Sequence, residues 1–208
     1  MLAGMKFSGD ELVGMIVAVS FAAGLNVYAT VATLGLLARA DLVTLPPALH
    51  LLSSWWVIAA AGALFVVEFF ADKIPAFDLL WNALHTFIRI PVAALLAWGA
   101  TSQLSHEKQL LATLAGGVIA FAAHSGKTAA RAAVTASPEP VSNIALSTGE
   151  DVLAIFLVWF ATKHPIIAAV IVAVLLVVIA IVIRWVIRAL RKLFSGREVS
   201  SQAPNQAV

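Results

Sequence analysis

The stretch EFFADKIPAFDLLWNALHTFIR, from Glu68 to Arg89, is where this chain concentrates its polar residues. Only 12% of the 208 residues are charged, whereas 62% are hydrophobic. Glu68 and Asp72 are four residues apart and share one face of a helix that Pro75 then ends. Polar residues follow that proline at steps of four, three and four, and they predict a polar stripe along the next helix: Asp78, Asn82, His85 and Arg89.

The composition predicts an integral membrane protein. A soluble domain is nearer half apolar and a quarter charged, and here the apolar excess is grouped into long runs. The chain contains no cysteine, which excludes disulfides and thiolate metal sites. Five of its thirteen basic residues lie between Arg184 and Arg197, where anionic lipids of a cytoplasmic membrane surface explain them better than nucleic acid does.

The apolar runs and their breaks predict an all-α polytopic bundle of about six membrane elements. We expect one membrane domain over residues 1–194 and a disordered cytoplasmic tail over residues 195–208. The first run, Leu12 to Leu37, is long enough to span a bilayer. Gly24 and Asn26 interrupt it, either as a packing face of small residues or as a helix break that frees backbone groups for a ligand.

The third and fifth elements are half polar. In the third element only Ile90 to Ala100 is cleanly apolar, and eleven helical residues cover about 16 Å of a hydrocarbon core that is about 30 Å thick. Either a full helix buries its polar stripe inside the bundle, or a half-helix re-enters the membrane. The fifth element likewise joins a polar first turn, Ser147 to Asp151, to a short apolar run.

The distribution of positive charge predicts the orientation of the helices. The basic C-terminal segment places the C-terminus in the cytoplasm, and an even number of crossings would place the N-terminus there too. Asp10 and Glu11 stand where a signal peptide carries positive charge, so we expect an uncleaved first helix.

Identical residues align when the sequence is compared with itself at a shift of 92 or 90 residues. They indicate either an internal duplication or chance matches in an alanine-rich chain. The shift of 92 aligns Gly24 with Gly116. A true duplication would give two three-element halves, residues 12–101 and 107–194. An odd number of elements per half would invert the second half relative to the first, as in many transporters.

Two clusters of ionisable residues flank proline or glycine breaks, and we expect them to form one central site, because charges inside a membrane usually face a cavity or a partner. The first is Glu68, Asp72, Lys73, Asp78, His85 and Arg89, and the second is His124, Lys127, Arg131, Glu150 and Asp151. The alternative is that they are loop-end charges in water, with Asp72 paired with Arg89 or Lys127 with Glu150. This interpretation is favoured for Lys73, Lys127 and Asp151 taken singly.

The ligand could be a cation or an anion. A divalent cation would find hard oxygen ligands in Glu68, Asp72 and Asp78, although neighbouring basic residues compete for them. An anion such as a phosphate would find its partners in three cations: Arg89, Lys127 and Arg131.

The segment HSGKTAAR, which begins at His124, bears on the anion hypothesis. We expect the fourth helix to end near His124, so that a break before Thr128 aims a helix N-terminus at the anion. The letters SGKT resemble the end of a P-loop, but the upstream glycine spacing and the preceding strand are missing. Nucleotide binding is therefore excluded, and no cofactor is expected.

Three stretches, VEFFADKIPAFD, FIRIP and AHSGKTAARAAVTASPEPVSNIALSTGEDVLA, together resemble a bacterial membrane family catalogued as domain of unknown function 4126. The likeness covers roughly Gly24 to Pro165. The family's acidic residue near Asn82 and its glycine near Ala94 are absent here. The motifs fall on Glu68, Asp72, Lys73, Pro75, Asp78, Arg89, His124, Lys127, Arg131, Asn143, Ser147, Glu150 and Asp151. The resemblance implies a multi-pass protein of the bacterial inner membrane and implies no activity.

We therefore expect a small transporter or channel for an anionic solute or lipid headgroup, with Glu68 or His85 as the proton-coupling group. A divalent-cation transporter is one alternative. A second is a membrane-embedded enzyme that modifies lipid with His85 or His124 as general base, and a third is a scaffold without a ligand. The expected partner is the lipid bilayer, and a homo-oligomer stays open.

Overall fold

The computed structural model describes residues 8–73, 75–135 and 140–200. The described residues contain helices and no strand, which confirms the expected all-α bundle. A 3₁₀ turn, Pro47–Ser53, lies between the second and third α-helices. The α-helices are, in chain order, α1 (Gly9–Leu25), α2 (Val27–Arg39), α3 (Trp55–Ala71), α4 (Pro75–Ala100), α5 (His106–Thr135), α6 (Pro140–Lys163) and α7 (Pro165–Ser200).

Four of these helices contain a segment long and apolar enough to cross a membrane. The number rises to five within the described residues if the 3₁₀ turn and α3, which meet at a bend of 63°, count as one span. Large apolar side chains such as Phe87, Val118 and Val170 are exposed on the outside of the bundle, as lipid-facing residues are. The four segments are Trp81–Ala100, His106–Arg131, Ile144–Lys163 and Pro165–Ala189. The chain is a polytopic membrane protein.

Helices α1 and α2 do not form the single span expected from Leu12 to Leu37. Asn26 separates them with an extended backbone (φ −148°, ψ 104°). Leu12 at the start of α1 and Leu34 in the second half of α2 line the same cavity. A straight helix would place these two residues about 33 Å apart. The two helices therefore run in opposite directions and form a hairpin with Asn26 at its tip.

Both ends of this hairpin lie on one side of the bundle. A Cβ added to Gly14 would lie 2.5 Å from the carbonyl oxygen of Pro165, so α1 starts beside the start of α7. Its tip lies toward the opposite side, where Tyr28 contacts His85 in the first half of α4. Because the hairpin returns to the side where it began, the start of α1 and the end of α7 lie on opposite sides. This arrangement favours an odd number of crossings over the even number behind the expectation of two cytoplasmic termini, which stays a prediction.

Helix α1 lies at the centre of the core and packs against α4, α5, α6 and α7. Small residues allow this close packing. A Cβ on Gly24 would lie 2.4 Å from the carbonyl oxygen of Ala120, and one on Gly116 would lie 2.9 Å from the hydroxyl of Ser20. Gly24 therefore belongs to a packing face, and Asn26 breaks the helix. That the break frees backbone groups for a ligand stays a prediction.

The third and fifth elements are full helices. Helix α4 runs unbroken through Pro91 for 26 residues, and α6 runs for 24 residues. The alternative of a re-entrant half-helix is wrong for both, because neighbouring helices bury the polar half of each one. The element that folds back is instead the first, the run from Leu12 to Leu37.

Helix α5 continues past the position where a break was expected. It extends from His106 to Thr135, and the Thr128 hydroxyl donates to the carbonyl of His124 within it at 3.0 Å. The expected helix N-terminus at Thr128 is therefore wrong, since the run KTAARAA consists mainly of strong helix formers. Helix α7 similarly continues to Ser200, so the backbone is helical over residues 195–200, where a disordered tail was expected. Residues 201–208 lie outside the described residues.

We predict that Gly24→Ala destabilises the protein by about 1–3 kcal/mol, because the new methyl group overpacks the contact between α1 and Ala120. The melting temperature of the purified protein in detergent measures this effect. Gly62→Ala on α3 is the matched control, because nothing lies within 4 Å of a Cβ there. This control should be neutral or slightly stabilising, since alanine favours a helix over glycine. Equal melting temperatures for the two variants would contradict the packing.

Candidate functional site

Six buried charged side chains meet where the tip of the hairpin approaches α3, α4, α5 and α6. We call them the ionic network. None is more than 8% exposed, and they come from both predicted clusters, so the clusters do meet. The members are Glu68, Asp72, Arg89, Lys127, Arg131 and Glu150.

The first part of the network joins α3 to α4. The Arg89 guanidinium donates through Nη2 to Glu68 Oε1 and through Nη1 to Asn82 Oδ1 at 3.2 Å. Asn82 and Arg89 are seven residues apart on α4, so the predicted polar stripe is a single face of that helix. Glu68 is the partner of Arg89, rather than the Asp72 suggested by the loop-end interpretation.

The second part joins the end of α3 to α5 and α6. Lys127 Nζ lies 2.9 Å from Asp72 Oδ2 and 3.4 Å from Glu150 Oε2. Arg131, one turn later, contacts the same two oxygens through Nη2 at 2.9 and 2.8 Å. Because Lys127 Nζ is also 3.8 Å from Glu68 Oε1, the two parts form one continuous network.

The hairpin tip contributes neutral partners that sequence analysis did not assign to the site. Lys127 Nζ donates to the carbonyl oxygen of Leu25 at 3.3 Å, a group exposed by the end of α1. Asn26 accepts from the Ala29 amide at 2.9 Å, which caps α2, and its Nδ2 donates to Asp151 Oδ1 at 2.8 Å. In the sequence, the signal that could have identified these partners was Asn26, a lone asparagine in the middle of an apolar run.

His124 is fixed in its neutral form by its partners. Its Nδ1 accepts from Arg89 at 2.9 Å, so its proton resides on Nε2, which donates to the Thr86 hydroxyl at 2.7 Å. That hydroxyl in turn donates to the carbonyl of Asn82 at 3.1 Å. A second proton on the ring would face the guanidinium, so protonation of His124 requires Arg89 to move.

His85 lies in a different arrangement. Its Nδ1 donates to the carbonyl of Trp81 at 2.7 Å, and its Nε2 accepts from the Tyr28 hydroxyl at 3.0 Å. A tyrosine hydroxyl can reverse its role and accept, so His85 can take a second proton without losing either contact. Neither His85 nor His124 presents an unengaged ring nitrogen, which a general base would need.

Lys73 of the first cluster, like His85, lies outside the ionic network. Lys73 is half-buried, and its Nζ donates to the carbonyl of Phe69 at 2.9 Å and lies 3.0 Å from the centre of that ring. Burial lowers the pKa of Lys73. The side chain of Asp78 lies outside the described residues.

Asp72 is the network member that lies in a connection between helices. Burial acts to raise the pKa of its carboxyl, but the positive charges of Lys127 and Arg131 outweigh it, and the pKa is lowered overall. A lowered folded-state pKa means that Asp72 stabilises the fold above its unfolded pKa, and that this contribution is lost as the pH falls through the folded value.

The described side chains contain no group of three or more His, Asp or Glu that could hold a metal ion. The acids of the ionic network are already neutralised by arginine and lysine. The arrangement is therefore suited to holding buried opposite charges together and to exchanging one charged partner for another.

We predict that Glu68→Gln destabilises the protein by about 3–5 kcal/mol, because it leaves the Arg89 guanidinium buried without its counter-charge. Adding Arg89→Gln to that variant should cost much less than Arg89→Gln alone. Chemical unfolding of the four proteins in a double-mutant cycle measures the coupling. The exposed substitution Asp10→Asn should stay within about 0.5 kcal/mol of the parent. Additive single effects would show that the pair does not exist.

We also predict that the stability of the parent decreases as the pH is lowered below about 4, where a carboxyl such as that of Asp72 takes up its proton in the unfolded chain. Asp72→Asn should be less stable at neutral pH and should lose less stability on acidification. Melting temperatures over a pH series provide the comparison. Parallel curves for the two proteins would contradict the lowered pKa.

Comparison with known proteins gives one finding. A family model described as Domain of unknown function (DUF4126) matches residues 13–185, which include every member of the ionic network. No curated protein and no solved structure matches the chain.

Proposed function

The chain belongs to the family described as Domain of unknown function (DUF4126), a description that assigns no activity, and on the geometry of the site we propose that it is a small membrane transporter or channel. The observation that carries the proposal is a buried ionic network at the tip of a broken helical hairpin. Broken helices in transporters commonly expose backbone groups next to charged substrates. Here Leu25 and Asn26 supply such groups at the break.

The cations of the network favour an anionic solute or a lipid headgroup as the substrate. Arg89, Lys127 and Arg131 can form charge-assisted hydrogen bonds with phosphate or carboxylate oxygens. At present Glu68, Asp72 and Glu150 occupy those positions, as internal anions. An entering anion has to displace them, and protonation of the displaced carboxyl removes the repulsion. The arrangement therefore favours transport of an anion together with protons.

The network narrows the choice of the proton-carrying group. Glu68 is engaged in an ion pair with Arg89, and that contact would be lost if Glu68 carried the proton. His85 keeps both of its hydrogen bonds when it gains a proton, so it is the better coupling candidate of the two proposed from the sequence.

Two alternatives receive less support. A divalent cation at Glu68, Asp72 and Asp78 would have to displace Arg89, Lys127 and Arg131 from the described carboxylates. A lipid-modifying enzyme would need a free base, and the nitrogens of both candidate histidines are engaged. Each alternative is a distinct outcome of the experiment below.

We assign the basic end of α7 to the cytoplasmic side of a bacterial inner membrane, where Arg184, Arg188 and Arg191 can contact anionic lipids. All three side chains are exposed. The start of α1 then lies on the opposite side. In this orientation α2 runs opposite to α5, α3 opposite to α6 and α4 opposite to α7, as an inverted repeat requires. The duplication therefore stays part of the proposal.

Flux into proteoliposomes of the purified full chain tests the proposal with defined probes: inorganic phosphate, Mn²⁺, and a phosphatidate-bearing donor vesicle. We predict phosphate uptake or phosphatidate transfer that an inward proton gradient accelerates. Arg131→Gln should reduce it about tenfold or more, because one charge-assisted hydrogen bond contributes about 1.5–3 kcal/mol. Lys108→Gln is the matched control, since Lys108 is an exposed cation away from the network.

Uptake of Mn²⁺ without anion flux would overturn the anion proposal in favour of the cation transporter. A chemically altered phosphatidate in the recovered lipid would identify an enzyme. Absence of flux for every probe from a folded protein, or equal loss in Arg131→Gln and Lys108→Gln, would contradict a transport role for the network.

A further inference from the structure

Asp151 is a buried acid beside the ionic network that has no ion-pair partner within the described residues. Only 3% of its surface is exposed. Its Oδ1 accepts from Asn26 Nδ2 at 2.8 Å, while its Oδ2 has no hydrogen-bond partner there. One turn earlier on the same face of α6, the hydroxyl of Ser147 is also buried and has no hydrogen-bond partner among the described residues.

The charge balance of this region leaves Asp151 as the surplus acid. The described part of the site buries four acids (Glu68, Asp72, Glu150 and Asp151) but only three cations (Arg89, Lys127 and Arg131). If all seven are ionised, these buried groups carry a net charge of −1, which the half-buried Lys73 offsets in part. A single unbalanced charge inside a membrane protein is costly, and a proton is the smallest ligand that removes it.

The surroundings of Asp151 contain both signs of charge. Glu68 and Asp72 repel an ionised carboxylate there, and Lys127 attracts it. Lys73 adds a weaker attraction from the end of α3. The hairpin contributes only the neutral amide of Asn26. The charged groups of the other neighbouring helices are Arg131 on α5, which is bound to Asp72 and Glu150, Glu150 on α6 itself, and the exposed Arg184 and Arg188 on α7.

We propose that the Asp151 carboxyl is a proton-binding site that controls how tightly α6 holds the tip of the hairpin. This inference rests on the proposed transport function and names a second coupling group besides His85. Ionised Asp151 accepts a charge-assisted hydrogen bond from Asn26, and such bonds are about twice as strong as neutral ones. A proton taken from water onto the carboxylate weakens that bond.

Asn26 is the physical link between protonation and the hairpin. The same side chain donates to Asp151 through Nδ2 and caps α2 through Oδ1. Protonation of Asp151 therefore loosens the contact that fixes the helix break. Lys127 is affected as well, because its Nζ is bound to the adjacent carbonyl of Leu25. Proton uptake and rearrangement of the ionic network become coupled through one residue.

Infrared difference spectroscopy of the purified full chain without substrate tests the site. The parent should gain a protonated-carboxyl band as the pH is lowered, before the exposed acids of ordinary pKa near 4 take up their protons. The band should be lost in Asp151→Asn and retained in Asp10→Asn. In Asn26→Ala, which keeps the carboxyl, its midpoint should shift to higher pH, because the ionised form loses its donor.

A band that persists in folded Asp151→Asn overturns the assignment. If that variant does not fold, an unchanged midpoint in Asn26→Ala overturns it instead. A band abolished by Na⁺ at constant pH shows that a sodium ion competes with the proton for the carboxylate, and overturns the assignment to a proton alone. A band assigned to Asp151 together with absence of flux would support the proton site and contradict the transport function. Proton-driven flux without the band would support transport and contradict the proton site.

Discussion

A charge buried inside a membrane protein has to be matched by an opposite charge, and this constraint determines how the helices of the chain are arranged. Arg89 on α4 can be buried only because Glu68 on α3 faces it. Lys127 requires acids from the end of α3 and from α6, and it also uses a backbone carbonyl of α1. Removing one partner leaves the other charge unpaired, so the network stabilises the fold as a unit.

The hairpin of α1 and α2 follows from the same constraint. A helix that stops inside a membrane exposes backbone groups that cannot be satisfied by lipid. In this chain Asn26 caps the second helix, and Lys127 binds the carbonyl of Leu25. The ionic network therefore stabilises the break, while the break supplies the network with a carbonyl and an amide. A change in the charge state of the ionic network would therefore affect the position of the hairpin tip. A carrier needs such a link between charge and conformation.

The sequence was sufficient to predict the helical class, the polar stripe on α4 and the meeting of the two charged clusters. It could not predict the hairpin, because hydropathy is the same whether an apolar run of 26 residues crosses a membrane or folds back within it. The sequence also could not predict which carboxylate pairs with Arg89, because the choice of Glu68 over Asp72 depends on how α3 and α4 are rotated about their axes. The break expected at Thr128 was wrong because the strong helix formers after it outweigh the serine and glycine before it.

The most direct test of the hairpin is the sidedness of its two ends relative to α7. The chain has no cysteine, so single cysteines at Gly9→Cys and Arg191→Cys can be labelled without background. Both positions are exposed. With a membrane-impermeant maleimide on sealed spheroplasts and inverted vesicles, we expect Gly9→Cys to react in one preparation and Arg191→Cys in the other. Labelling of both cysteines from the same side would show that α1 and α2 cross the membrane as one span, and would contradict a hairpin that ends on the ionic network.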